Sequence, residues 1–152
     1  MNKRELENRT KEFAIAVIRF VGEFNRSVSG QVISRQLLKS GTSIGANYRE
    51  ANRAVSRRDF AHKISIAEKE ASETLYWLEI CLDTKIGDSG ACKDLLTESD
   101  ELLAIFTAIG RSIRSGTRTK VSGPAAREYG AEISPLDVSD LIPPEQPDVI
   151  DE

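Results

Sequence analysis

The side chains able to do chemistry are few and scattered. His62 is the sole histidine. It stands beside Lys63 in a helical stretch with no serine or cysteine placed to act as its nucleophile, so it reads as a surface histidine rather than a general base. Glu70 and Glu73 have the spacing of helix-borne metal ligands. Di-iron bundles, however, follow a glutamate with a histidine three residues on, and here that position holds a second glutamate. The run Ser40-Gly41-Thr42-Ser43-Ile44-Gly45 is glycine-bearing but lacks the lysine and the preceding strand of a phosphate loop. Cys81 and Cys92 form no CxxC pair and read as reduced thiols. No catalytic residue, metal site or cofactor is expected.

The basic residues are more informative. Arg35, Lys39, Thr42, Ala46, Arg49, Arg53 and Arg57 follow one another at steps of three or four, which puts the charged ones on one helical face. Along a continuous helix Arg35 to Arg57 would span roughly 33 Å, enough to follow several phosphates of a nucleic acid. Such contacts give affinity without sequence choice. The plainer reading is a solvated face, or arginines paired with Glu68, Glu70, Glu73 and Glu79 further along the chain.

Four helical segments must position these groups. Phe13, Val17, Phe20, Val21 and Phe24 share one face of a helix from about Glu5 to Asn25. A second helix, from about Gln31 to Val55, carries Ile33, Leu37, Ile44, Tyr48, Ala51 and Val55 on one side. Two glycines in its middle cost about 1 kcal/mol each by propensity. The apolar phase nevertheless continues from Leu37 to Ile44 and Tyr48, which favours an unbroken helix with close approach of a neighbour. Ser56-Arg57-Arg58-Asp59 resembles a capping box and starts a third helix that runs to about Lys85. Its inner seam is Phe60, Ile64, Ala67, Ala71, Leu75, Leu78 and Leu82. A second apolar side, Ile66, Trp77 and Ile80 with Tyr76 beside it, implies that this helix is covered twice and marks these residues as a candidate oligomer interface. The fourth helix runs from about Cys92 to Ser115. Short turns between long helices require antiparallel neighbours: an all-α, up-down four-helix bundle.

The formal net charge of -3 is unevenly spread. Residues 1–120 hold 20 basic and 16 acidic residues, whereas residues 121–152 hold one basic and eight acidic, so the body is +4 and the tail -7. All five prolines lie in the tail. Residues 1–120 are therefore expected to be the bundle domain and 121–152 an acidic, disordered tail, a candidate mimic of a polyanion. The start of the chain is polar rather than signal-like, and no apolar run approaches the roughly 20 residues of a membrane helix. A cytoplasmic protein with no membrane partner is expected.

Several segments carry a resemblance: Arg9-Thr10-Lys11-Glu12-Phe13-Ala14, the long run from Leu37 to Ala51, Asp59-Phe60, and Glu70 to Glu79. Together they make the chain resemble the four-helix-bundle proteins encoded in intervening sequences of bacterial large-subunit ribosomal RNA genes. The resemblance covers about Glu5 to Arg114. It implies that the glycine-bearing run is helical, that the protein forms a ring-shaped homopentamer, and that no enzymatic activity is established. The same fold is similar to the accessory variability protein of diversity-generating retroelements, which binds a reverse transcriptase and nucleic acid. Expected partners are thus further copies of the chain and RNA or DNA, notably structured RNA or an RNA-protein complex through Arg35, Lys39, Arg49, Arg53 and Arg57. The alternative is a protein-binding scaffold, for example for a reverse transcriptase.

Overall fold

The computed structural model describes residues 1–115 and 137–144. Four helices account for the first stretch: α1 Lys3–Gly22, α2 Val28–Ala51, α3 Arg57–Thr84 and α4 Ser89–Ser115. Each begins at a side-chain cap that satisfies an otherwise orphaned backbone N–H. Asn2 and Glu5 form a reciprocal capping box on α1. Ser27 Oγ accepts from Gly30 N on α2, Ser56 Oγ from Asp59 N on α3, and Asp88 Oδ2 from Ala91 N on α4. The start expected at Ser56 is therefore where α3 begins. Its other end closes at Lys85, in the left-handed region with φ 56°.

The glycine-bearing run does lie inside an uninterrupted α2. An added Cβ at Gly41 would stand 3.1 Å from both methyls of Val17, and one at Gly45 3.1 Å from Thr10 Oγ1. The missing side chains let α1 approach that closely. The polar residues of the run are satisfied within the helix: Ser40, Thr42 and Ser43 each donate to the carbonyl four residues back.

The core takes Phe13, Val17 and Phe20 from α1, Ile33, Leu37, Ile44 and Tyr48 from α2, Phe60, Ile64 and Leu78 from α3, and Leu95, Leu102, Phe106 and Ile109 from α4. On α3 the fully buried seam runs through Thr74 and Cys81, and the expected Leu75 and Leu82 are only partly buried. A heptad seam shifts by one position without losing its period, and Thr74 can sit there because its hydroxyl donates to Glu70 O at 2.7 Å.

Two expectations need correction. The second helix stops at Ala51, not Val55: Asn52 is its C-cap, Arg53 N and Ala54 N then bond carbonyls only three residues back, and the Asn52 amide donates to Glu7 Oε1 of α1 at 2.9 Å. Val55 consequently sits 89% exposed in the turn. Nor is the whole C-terminal stretch without packing. Val138 and Leu141, the latter in a short 3-10 turn at Ser139–Leu141, are buried and join the bundle core, with Ile142 against it. The tail expectation for 121–136 and 145–152 falls outside the described residues.

Candidate nucleic-acid interface

Four of the five candidate phosphate contacts are exposed: Arg35, Lys39 and Arg49 on α2, and Arg53 in the turn that follows. Arg35 to Arg49 covers about 21 Å of helix axis, shorter than the span expected if α2 had continued. None of these four side chains forms a hydrogen bond or ion pair among the described residues. The row is therefore not neutralised by Glu68, Glu70, Glu73 or Glu79, the pairing that composition alone allowed. Glu68 instead accepts from Thr107 Oγ1 of α4 at 2.9 Å, and Glu73 from Trp77 Nε1 at 3.5 Å.

Arg57 differs from the rest. It is the first residue of α3, half-buried, and its guanidinium donates to Ile113 O near the end of α4 at 3.4 Å. The basic row thus passes from α2 through a turn onto α3, and Arg57 fastens α3 to α4. The spacing of the arginines alone does not mark this turn, whereas the cap at Ser56 does.

The candidate oligomer residues all lie on α3, where Trp77 and Ile80 pack in part against the bundle's own core. Tyr76 is 55% exposed, and its ring meets Trp77 edge-on at a centroid distance of 5.0 Å. Ile66, Trp77 and Ile80 are half-buried. Glu70 lies between them at helical spacing, and its Oε2 is buried without a hydrogen-bond partner. A carboxylate oxygen left so is unfavourable unless something outside the chain reaches it.

Ion pairing inside the bundle is concentrated on Arg9, which donates from Nε to Glu98 Oε1 at 2.6 Å and from Nη2 to Glu98 Oε2 at 2.8 Å, and also bonds Glu101. These bonds to two glutamates hold the guanidinium charged at any accessible pH. Beside it, α1 and α4 diverge to leave a groove of about 740 Å³ floored by Phe13, Phe20 and Leu95. Its rim carries five carboxylates and two arginines, which makes it unsuited to phosphates. His62 is exposed on α3, and no grouping of metal-ligating side chains occurs among the described residues. No described helix is long and apolar enough to cross a membrane.

Four helices, a small-residue contact between the first two and an exposed basic row define an all-α helical bundle protein. Residues 3–108 match the family model of the 23S rRNA-intervening sequence proteins, and the chain belongs to that family. A solved structure from Bacteroides thetaiotaomicron, described as a protein of unknown function from the S23 ribosomal protein family, is 36% identical with a TM-score of 0.67. The similarity covers 73% of this chain and 99% of that one. No curated protein matches the chain.

Proposed function

We propose that the protein is a non-enzymatic, self-associating bundle of the cytoplasm that binds structured RNA or an RNA-protein complex through Arg35, Lys39, Arg49 and Arg53, with Arg57 holding the end of the row in place. The observation that carries this reading is that the four exposed cations lack acidic partners among the described residues. Unpaired arginines on a rigid helix suit a polyanion, since releasing its counterions supplies the affinity. The family's link to ribosomal RNA genes, and the ribosomal naming of the Bacteroides protein, are consistent with that ligand. Replacing Arg35, Lys39, Arg49 and Arg53 with glutamate abolishes binding of a fluorescent structured RNA at low salt and leaves the helical circular-dichroism spectrum unchanged. Equal affinity in both proteins, or no binding by the wild type, overturns the reading.

A second reading draws on the outer side of α3. Exposed Tyr76, the half-buried Ile66, Trp77 and Ile80, and the unpartnered Glu70 suit a protein surface with a basic residue. That surface would belong to another copy of the chain or to a protein such as a reverse transcriptase, with the bundle as scaffold.

A further inference from the structure

The up-down topology brings together residues that are far apart in sequence. The N-termini of α1 and α3 and the C-termini of α2 and α4 share one end of the bundle, tied by Asn52 to Glu7, by Lys63 to Glu50, and by Arg57 to the Ile113 carbonyl. Within the last eight residues of each helix at this end, and in the α2–α3 turn, lie Lys3, Arg4 and Arg9 of α1, Arg49 and Arg53 at the end of α2, Arg57, Arg58 and Lys63 of α3, and Arg111 and Arg114 of α4. Ten cations there face four acids, Glu5, Glu7, Glu50 and Asp59, whereas the corresponding stretches of the opposite end hold five of each.

Three of the four acids are already engaged, Glu5 in the α1 capping box, Glu7 with Asn52 and Glu50 with Lys63. Among the described residues, none of the side chains of Arg4, Arg49, Arg53, Arg58, Arg111 and Arg114 enters an ion pair or hydrogen bond. Helix stability does not account for the arrangement. Arg49 and Arg114 occupy last turns, where a helix welcomes a cation. Lys3, Arg4, Arg57 and Arg58 occupy first turns, where the helix dipole disfavours one. Lys3, Arg4 and Arg58, held against that preference at two helix starts, suit an anion that the described residues do not supply.

From this arrangement we infer that the basic end of the bundle, centred on Arg4, Arg53, Arg58, Arg111 and Arg114, is the main docking site for a nucleic-acid phosphate backbone, and that Arg35 and Lys39 lie at its margin. The inference rests on the nucleic-acid reading above and relocates its centre. The end of a four-helix bundle is about 20 Å across, room for several phosphates.

The test compares two variants of equal charge change in the full chain. One carries Arg4→Gln, Arg58→Gln, Arg111→Gln and Arg114→Gln; the other carries Arg19→Gln, Arg26→Gln, Lys85→Gln and Lys93→Gln, all at the opposite end of the bundle. All eight side chains are exposed, so both variants should fold, and circular dichroism checks this. Binding of a short fluorescent RNA duplex is measured across a salt series. The first variant loses at least about tenfold in affinity, and its plot of log affinity against log salt flattens by about three; the second stays within about threefold of wild type. Equal losses, a larger loss in the second variant, or no loss in either overturns the basic-end site while leaving RNA binding intact. A wild type that fails to bind the duplex overturns the nucleic-acid reading and this inference with it.

Discussion

The two ends of the bundle are built alike and charged differently. At the basic end Tyr48 and Phe106 meet at a centroid distance of 5.5 Å, both fully buried. At the other end Phe20 and Phe24 meet at 4.9 Å, but Phe24 is only half-buried, and the α3–α4 turn lies over both rings at Gly87. Packing closes both ends; only one carries surplus charge. A charge asymmetry that packing does not need is better explained by what the surface meets, and the two ends separate stability from binding within one molecule.

Several changes would break or sharpen that contrast. The largest effect is expected from Phe106→Ala, which empties a fully buried site and should cost about 3–5 kcal/mol in chemical denaturation. Phe24→Ala, at the half-covered end, should cost clearly less; equal costs would show that the ends are not packed as described. Gly87→Ala comes next. Glycine there has φ 82°, and a Cβ would lie 2.7 Å from the rings of Phe20 and Phe24, so a loss of about 1–3 kcal/mol is expected without any change in RNA affinity.

Alkaline titration probes both ends at once. Burial pushes the Tyr48 hydroxyl up from 10.0 to about 12, and the Cys81 and Cys92 thiols up from 9.0 to about 12 and about 11. Each group is neutral when protonated, so the folded chain keeps these protons longer than the unfolded one. Their contribution is complete below about pH 9 and is lost as pH rises from there toward 12. Denaturation midpoints should therefore hold steady around neutrality and fall above pH 9, with thiol alkylation of the native protein slow until they do. Rapid alkylation at pH 8 would contradict the burial. The smallest effect is expected from Arg9→Gln on the flank between the ends. Its pairs with Glu98 and Glu101 are about one-third exposed, so about 1 kcal/mol is at stake, shrinking in high salt.

Much of this was legible in residue order. Period and caps located four helices, and the phase kept from Leu37 to Tyr48 carried α2 through its glycines. Helix ends were less legible. Asn52 caps α2 and its amide reaches Glu7, 45 positions away, and no local pattern reports such a bond. The buried hydroxyls were missed for a related reason: Thr10, Ser40 and Thr74 look polar in sequence but satisfy themselves on carbonyls of their own helices. Val138 and Leu141 carry a weak signal, two apolar residues three apart among prolines and acids, which composition averaged away. The basic row could be read along α2. The basic end could not, since it exists only once four helix ends meet.

The central claim, that an RNA backbone is the bundle's ligand, is tested most directly by a low-salt pull-down of the full chain with and without RNase treatment. The account predicts co-purifying RNA that RNase removes, together with any proteins carried on it. Protein partners recovered undiminished after RNase, with no RNA in the untreated sample, would contradict it.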